Sequence, residues 1–487
     1  MLEGLEISIF NYNDILQDND EFRIDSGYYK KEYIDLYSRI KGSPMLVDLT
    51  YMSDLSTNGS FATVKKIMND RHAKTIPFIR SGNCGDTFIN TDDLELISEK
   101  SHSQLPKSTT QLHDIMMARK GKIGGASIIT ADEVGFNCSE NVIKITIKNS
   151  DHLNPYYFTS YFNSKYGLKQ IERLSTGNVQ PWVSIFQIRK LMIPTVRMAF
   201  QNSIEEIVTK AHKLKIVSKS RYQQAEQLLL QEVGLADFTP NQEPVNIKSF
   251  QESFGTSGRL DAEYYQVKYE DLLKFIEQNC KWDYLKNLTT HVSNGNQPPY
   301  SDNGTIRFFS QKWIGDKAID YSFLKSEDEP KVEESFFEEP KNKPSLIGTG
   351  DILYYSVGAN LGYCHNYLED EKISVGSFIN IIRADKDKIN EIYLGVVLNS
   401  MIGRLQGDKE KSGIAQPYIY AKNIREFKIP ILPADTQKKI AERIWNGFSL
   451  KKQSENLLEV AKQAVEKAIE ESEEVAMEFI KDKTKGL

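Results

Sequence analysis

The chain has 487 residues, of which 40% are hydrophobic and 26% charged, and its formal net charge is −6 at pH 7. This length predicts two to four domains of ordinary globular composition. Four scattered cysteines without a CxxC pair argue against a disulfide framework or a cysteine-rich zinc site, and we find neither a signal-peptide pattern nor an apolar run of ~20 residues. We therefore expect a cytoplasmic protein that makes no use of a membrane.

Charge is distributed unevenly along the chain. Residues 326–339 contain seven acids and one lysine, which alone sum to −6, whereas residues 163–197 contain six cations and one acid. The total charge therefore describes no particular surface, and it does not exclude a polyanionic partner.

The first predicted body covers residues 1–195. Short apolar runs such as 141–147 alternate there with segments rich in Gly, Asn and Ser, which is typical of an irregular α+β domain. The pattern does not give the order of its strands.

A long helix is predicted over residues 196–236. Asn202 is expected to cap its N-terminus, with Glu205 completing the capping arrangement three residues later. Apolar residues then recur at steps of three and four, and Gly234 is the expected stop signal. Residues 201–233 would form a helix ~50 Å long.

The rest of the chain repeats the first part. A linker rich in Pro, Asn and Gln at 237–250 precedes a second body at 251–432, which matches the first at an offset of about 236 residues. The matched pairs are Arg23 and Asp25 with Arg259 and Asp261, 113–116 with 350–353, 176–181 with 412–417, 193–194 with 429–430, and Gln201 with Gln437. So many landmarks in register indicate a duplication.

A second long helix and a C-terminal tail are predicted over residues 433–487, with Asp435 as the N-cap. Both long helices carry a narrow apolar stripe, which needs a partner helix. We predict that the two helices pair with each other as an antiparallel coiled-coil spacer. In the alternative, each helix folds back on its own domain.

Familiar catalytic motifs are missing from the sequence. We find no phosphate-binding GxxxxGK[ST] loop, no GxGxxG after a strand, no HExxH and no GxSxG. Residues 297–300, Gln-Pro-Pro-Tyr, are similar to the Asn-Pro-Pro-Tyr motif of DNA amino-methyltransferases. Gln stands in place of the Asn or Asp, however, and no glycine-rich methyl-donor motif accompanies it.

The repeated motifs resemble those of the specificity subunits of type I restriction–modification systems. The resemblance covers nearly the whole chain and rests on the G/H-D-I segment, the S/T-G…Q-P loop, the I-P…Q…I entry to a long helix, and the tandem duplication. It implies two pseudo-symmetric target-recognition domains, each reading one half of a split sequence in double-stranded DNA, with the paired helices as a ruler between them.

The same resemblance implies partner proteins. Subunits of this kind assemble with two methyltransferase subunits and two restriction subunits, the latter being ATPases and nucleases. S-adenosylmethionine, ATP and Mg2+ would then bind in those partners, and this chain would hold no cofactor, no metal and no catalytic residue.

DNA reading needs Arg or Lys for phosphates and guanine, and Asn or Gln for adenine, on loops held by glycine. The candidates are Arg80, Asn83, Arg119, Lys120, Lys122, Asn178, Gln180, Lys312, Tyr355, Asn360, Gln416 and Tyr418. Two domains that read different sequences should differ at their reading residues. The cations at 119–122 against 357–360 are therefore favoured, whereas the shared Gln-Pro and Arg-x-Asp positions favour scaffold or partner contacts.

Two other functions stay open on the sequence. One is a stand-alone, divergent DNA adenine methyltransferase that uses residues 297–300. The other is a coiled-coil scaffold without a nucleic-acid role, which the acidic balance and the long helices would suit.

Overall fold

The structure is a computed structural model that describes residues 9–16, 23–121, 123–177, 180–413 and 415–485. None of the helices in these ranges has both the length and the apolar content of a bilayer-spanning segment.

The first half of the chain alternates short helices and strands and ends in one long helix. Its helices are α1 (Tyr12–Leu16), α2 (Lys31–Ile40), α3 (Leu46–Leu49), α4 (Phe61–Met68), α5 (Glu99–Ser103), α6 (Pro155–Phe162), α7 (Lys165–Leu174), α8 (Ile185–Arg189) and α9 (Met198–Val233). Its strands are β1 (Thr50–Ser53), β2 (Lys74–Ile79), β3 (Glu95–Ser98), β4 (Ile115–Ala118), β5 (Ser127–Ile128), β6 (Asn137–Cys138) and β7 (Val142–Ile147).

The second half follows the same plan with more strands. Its helices are α10 (Phe254–Ser257), α11 (Val267–Asn279), α12 (Glu391–Asn399), α13 (Met401–Glu410), α14 (Ala421–Ile424), α15 (Ala434–Glu470) and α16 (Glu473–Lys483). Its strands are β8 (Trp282–Tyr284), β9 (Thr289–Asn294), β10 (Ile306–Phe309), β11 (Lys331–Val332), β12 (Leu346–Ile347), β13 (Ile352–Tyr355), β14 (Cys364–Asn366), β15 (Ile373–Val375), β16 (Ile379–Ala384) and β17 (Lys428–Pro430).

The chain forms two compact units. The first unit contains residues 1–215 and 451–487, and the second contains residues 216–450. Each long helix therefore contributes residues to both units.

The main sheets of the two units share one strand order. In the first unit the order is β1-β7-β4-β5, and in the second it is β9-β16-β13-β14, with antiparallel pairing throughout. The register also corresponds, because Met52 lies opposite Ile145 in the first sheet and Val292 opposite Ile382 in the second. The α+β class and the duplication predicted from the sequence are confirmed.

A smaller sheet in each unit is built around one parallel pair. In the first unit β2 runs parallel to β6 and antiparallel to β3; in the second, β10 runs parallel to β15 and antiparallel to β11. Because parallel neighbours need a long crossover, their repetition in both units is a strong mark of common topology.

Both long helices begin before their predicted N-caps, α9 by four residues and α15 by one. Helix α9 starts at Met198, so Asn202 lies inside the helix, and the predicted cap there is wrong. Helix α15 starts at Ala434, which places Asp435 in the first turn, where its charge still suits the helix dipole. Gly234, with φ +85°, follows the last residue of α9, as predicted.

Helices α9 and α15 pair antiparallel, as predicted. In the first unit, Ser454 Oγ donates to the carbonyl oxygen of Ala211 at 2.7 Å. In the second unit, Ser218 Oγ donates to the carbonyl oxygen of Gly447, also at 2.7 Å. Ser454 is 236 residues after Ser218, and Gly447 is 236 residues after Ala211. The contacts along the two paired helices, which we call the helix seam, therefore follow the internal duplication.

Both seams belong to hydrophobic cores. The core of the first unit includes Ile204, Val208, Ala211, Leu457, Ala461 and Ala464 beside residues of the main sheet. The core of the second unit includes Ala225, Leu229, Val233, Ile440, Ala441 and Ile444 in the same way. Burial of these side chains, rather than intrinsic helix propensity, accounts for most of the stability of such long helices.

The chain after α15 turns back on the first unit. Helix α16 buries Ala476 and Ile480 in the core of that unit. Its first turn is fixed by Glu473, which accepts a hydrogen bond from Nε of Arg197 at 2.8 Å. Within the described residues, the first half has no helix in the equivalent place after α9.

Candidate nucleic-acid interface

Each unit carries the same pair of hydrogen-bonded loops, which we call the loop clasp. In the first unit it comprises residues 119–121 and 175–183, as far as these are described. Thr176 and Trp182 exchange backbone hydrogen bonds of 2.9 and 2.8 Å, and the N–H of Gly121 donates to the carbonyl oxygen of Pro181 at 3.1 Å. Gly177 has φ +94°, and a Cβ there would lie 2.7 Å from the carbonyl oxygen of Gln180, so only glycine fits.

The loop clasp of the second unit repeats these contacts. Ser412 and Tyr418 exchange backbone hydrogen bonds of 2.9 and 2.8 Å, and the N–H of Gly358 donates to the carbonyl oxygen of Pro417 at 2.8 Å. Gly413 has φ +87° and the same close approach, to the carbonyl oxygen of Gln416. The repeated Gly and Gln-Pro positions are therefore explained by loop geometry.

The clasp nevertheless leaves polar and aromatic side chains at the surface. Gln180 and Gln416 are exposed at equivalent positions. Trp182 is exposed, and its equivalent Tyr418 is half-buried with its ring 4.9 Å from that of Tyr420. Side-chain amides can bind adenine edges, and aromatic rings can stack on bases, so both clasps have the chemistry of a nucleic-acid contact.

The favoured cations of the first clasp differ in their surroundings. Arg119 is held by Asp54, with Nη2 3.3 Å from the carboxylate, and its Nε donates to the carbonyl oxygen of Glu140 at 2.8 Å. Since Asp54 is fully buried, this ion pair is part of the framework. Lys120 is exposed and forms no ion pair with another described residue, which leaves its ammonium available for a phosphate or a guanine.

The predicted loop at residues 80–83 is used internally. Asn83 is 5% exposed, and its amide donates to the carbonyl oxygens of Asn90 and Asp93 at 3.0 and 3.1 Å. Arg80 forms an ion pair with Glu95 at 2.7 Å. In this conformation Asn83 holds the loop, and Arg80 would have to exchange a carboxylate for a phosphate to contact DNA.

The candidates of the second unit divide in the same way. Lys312 forms an ion pair with Glu329 at 2.9 Å, and its ammonium lies over the ring of Trp313. The ring of Tyr355 is buried, and burial raises the pKa of its hydroxyl. Asn360 is exposed on the loop after β13.

Two candidates cannot be placed. Lys122 and Asn178 lie outside the described residues. The structure therefore brings Lys120, Gln180 and Trp182 together in the first clasp, and Gln416 and Tyr418 together in the second.

The shared Arg-x-Asp motifs are scaffold. Arg23 forms an ion pair with Asp25 and donates to the carbonyl oxygens of Arg173 and Ser175 at the end of α7. Arg259 does the same with Asp261 and with the carbonyl oxygens of Glu410 and Lys411 at the end of α13. An arginine at the C-terminal carbonyls of a helix satisfies groups that have no partner in the helix.

Sequence reasoning missed a pair of buried glutamines. Gln170 exchanges two hydrogen bonds with the backbone of Met192, of 3.0 and 2.9 Å. Gln406 exchanges two with the backbone of Lys428, of 3.1 and 2.7 Å. Both follow the 236-residue offset, so a complete alignment of the two halves would have found them.

The residues considered for methyltransferase chemistry are bound to one another. The Nε2 of Gln297 donates to the Tyr300 hydroxyl at 2.9 Å, and the Tyr300 ring packs edge-on against Phe308. Within the described ranges, no three His, Cys, Asp or Glu side chains are grouped as a metal site requires.

The fold and the repeated clasp define a protein with two related α+β units, to both of which the two long helices contribute residues. Residues 291–460 match the family model described as "Type I restriction modification DNA specificity domain". This segment runs from β9 into α15, so the second half of the chain is similar to that family, which confirms the resemblance for that half. No curated protein sequence matches the chain.

Three solved structures are similar over most of the chain. The S subunit of a type I restriction–modification system from M. genitalium is 12% identical, covers 88% of this chain and 95% of its own, and has a TM-score of 0.40. The HsdS subunit from Thermoanaerobacter tengcongensis is 15% identical, with coverages of 91% and 96% and a TM-score of 0.26. A chain from a study of the assembly and conformational transition of the type I R-M system is 14% identical, with coverages of 89% and 99% and a TM-score of 0.29. These values are too low to carry residue roles over.

Proposed function

We propose that this chain is the non-catalytic, DNA-reading subunit of a type I restriction–modification complex. The observation that carries the proposal is the loop clasp, which recurs in two units of the same topology, in a chain whose second half matches a DNA specificity domain. In both units the clasp presents an exposed glutamine and an aromatic ring on a rigid frame.

The proposed target is bipartite double-stranded DNA, with one half read by each unit. Equivalent positions of the two clasps carry different side chains, because Lys120 bridges to Trp182 in the first unit where Val357 bridges to Tyr418 in the second. Two loop clasps with the same backbone contacts but different surface side chains are suited to two different half-sites. The antiparallel pair α9 and α15 would set the number of base pairs between the half-sites.

The proposed partners are two methyltransferase subunits and two restriction subunits. A chain with two equivalent units offers two equivalent docking places, which suits a partner present in two copies. S-adenosylmethionine, ATP and Mg2+ would bind in the partner subunits.

Reconstitution tests the proposal. The purified chain and the methyltransferase subunit of its operon are incubated, separately and together, with DNA and S-adenosylmethionine carrying a radioactive methyl group. We expect methyl transfer to adenine only from the mixture, and an affinity of the assembled complex for DNA that falls steeply as salt rises, because phosphate contacts release counterions. Methylation by the chain alone would identify a stand-alone enzyme, and salt-independent behaviour without DNA binding would identify a scaffold.

A further inference from the structure

Helix α4 has no counterpart among the described residues of the second unit. In the first unit the connection from β1 to β2 spans residues 54–73 and contains α4. In the second unit the equivalent connection, from β9 to β10, spans residues 295–305 and contains no helix or strand. The two units therefore differ here by a whole element, while the sheets on either side correspond.

Helix α4 rests on a small core of its own. Val64, Ile67 and Met68 face inward, and they pack with side chains of the adjoining segments. Those partners are Leu55, Phe78, Ile76, Ile97 and Leu105. The N-terminus is fixed by Ser60, whose hydroxyl accepts a hydrogen bond from the N–H of Thr63 at 3.3 Å. The helix is thus a packed part of the unit.

The outward face of α4 is polar and positively charged. At 100° per residue, Ala62, Lys66 and the C-cap residue Asn69 form one row opposite the buried side, and all three are exposed. Lys65 and Phe61 lie together on one side of this row, and Phe61 is 82% exposed, with the Lys65 ammonium 5.9 Å from its ring centre. No acidic residue lies on the helix.

The surrounding charges add to the positive face. Arg71 and Lys74 follow the helix, are exposed, and, like Lys65 and Lys66, form no ion pair with another described residue. The carboxylates of this connection are engaged elsewhere. Asp54 pairs with Arg119, and Asp70 accepts hydrogen bonds from Ser98 and pairs with His72, which lowers the pKa of Asp70 to about 2.

We propose that α4 is a sequence-reading element of the first unit and that it binds the major groove of one half-site in double-stranded DNA. This inference rests on the proposed function. The major groove admits an α-helix, and an eight-residue helix of ~12 Å fits its width. Lys66 offers a donor for guanine O6 and N7, Asn69 offers a donor and an acceptor for adenine, and the methyl group of Ala62 can contact thymine. Lys65, Arg71 and Lys74 contact phosphates.

The asymmetry of the two units supports the assignment. A helix that served the framework or a partner common to both units would be expected in both. An element that is exposed, cationic and confined to one unit is suited to reading a sequence that only this unit reads. Changes on α4 should therefore alter one half-site and leave the other intact.

The test uses cells that carry the complete operon. The chain is replaced by a Lys66→Gln/Asn69→Ala variant, or by a matched control, Lys481→Gln/Lys485→Ala, which removes one exposed lysine of α16 and one just after it. Methylated adenines are then mapped across the genome. We expect the first variant to accept additional bases in one half-site and to methylate the original site at least about tenfold more slowly, with the other half-site unchanged. The control should keep both half-sites and the rate.

Other outcomes overturn the inference. An unchanged motif at an unchanged rate would remove α4 from DNA reading, and changes in both half-sites would identify a general defect. A wild-type chain that yields no two-part motif would instead refute the proposed function itself. Should the first variant unfold, Lys65→Gln/Lys74→Gln gives an independent measurement. The log–log salt slope of DNA binding by the complex should fall by about 2 while the motif is unchanged, and an unaltered slope contradicts the proposal.

Discussion

The two units of the chain share their framework and differ in their connections. Gln170 and Gln406 form equivalent hydrogen bonds to the backbone of Met192 and Lys428. The hydroxyls of Ser454 and Ser218 form equivalent hydrogen bonds between the two long helices. By contrast, in the part of the chain that the structure describes, α4 occurs in the first unit and has no equivalent between β9 and β10 of the second. Duplication has therefore preserved the contacts that hold each unit together, while surface elements diverged.

A second contrast lies within each clasp. Its backbone hydrogen bonds are the same in both units, yet the side chains around it range from partly buried and ion-paired, as in Arg119, to exposed, as in Lys120 and Asn360. Neighbouring residues of the clasp therefore differ in whether they hold the framework or are available for the proposed DNA contact. Variants at paired positions of the two units, and at neighbouring positions of one clasp, separate these roles.

The packing of α9 against α15 should contribute to the free energy of unfolding to a similar extent in both units. Leu457 in the first unit and Leu229 in the second are both fully buried. Leu457→Ala and Leu229→Ala should each lower the free energy of unfolding by about 2–5 kcal/mol, because each leaves a cavity. Urea denaturation measures the change. Lys213→Ala, at an exposed position on α9, is the control and should stay within about 0.5 kcal/mol. A large loss from only one leucine would break the proposed equivalence of the units.

The buried side chains of Gln170 and Gln406 should contribute similar amounts to the free energy of unfolding. Gln170→Met and Gln406→Met keep the size of the side chain but remove both hydrogen bonds to the backbone of Met192 or Lys428. Each change should cost about 2–4 kcal/mol, since a buried N–H and a buried carbonyl lose their partners. The free energy of unfolding of each variant is the measurement, and a loss below about 0.5 kcal/mol would show that these bonds are replaced by others.

Of the neighbouring cations of the first clasp, Arg119 should affect the stability of the protein and Lys120 its binding to DNA. Arg119→Met leaves the buried Asp54 carboxylate without its ion-pair partner and should destabilise the protein by about 1–3 kcal/mol. Lys120→Met should leave the free energy of unfolding unchanged but lower the salt slope of DNA binding by about 1. The two variants serve as controls for each other. Equal behaviour in both assays would contradict the division into framework and reading residues.

The smallest effect concerns a histidine found only in the second unit. His365 replaces the Ser127 of the first unit, its Nε2 lies 2.9 Å from the carbonyl oxygen of Gly315, and burial lowers its pKa from 6.5 to about 4. The unfolded chain therefore takes up a proton between about pH 6.5 and pH 4 that the folded chain does not, so stability falls as the pH falls through this range. His365→Gln, which keeps a donor for Gly315, should reduce the loss of stability between pH 7 and pH 4.5 by about 1–2 kcal/mol, less than the full shift implies because the side chain is partly exposed. The same pH dependence in the variant would exclude His365 as its source.

Much of the fold could be predicted because the same sequence motifs occur in both halves of the chain. Each motif is weak alone, but repetition at one offset predicted the duplication, the long helices and their pairing. The caps at Asn202 and Asp435 failed because α9 and α15 begin earlier than the first polar residue that could cap them. Strand order was out of reach, since two- and three-residue strands such as β5 and β14 leave no period in the sequence.

The candidate site could be predicted only in part. The clasp loops were located by their shared Gly and Gln-Pro residues, but composition alone could not show that Arg119 is held by Asp54, sixty-five positions earlier in the chain. Helix α4 was missed for a related reason. It is short, its three inward residues give a weak period, and it lies where the two halves do not correspond.

The most direct test of two related reading units is the sequence that they select. Adenine methylation is mapped at single-base resolution in cells with the operon and in cells lacking only this chain. We predict one asymmetric motif made of two defined parts separated by a fixed number of undefined bases, and its complete loss without the chain. A single continuous motif, or a motif that persists when the chain is deleted, would contradict the account.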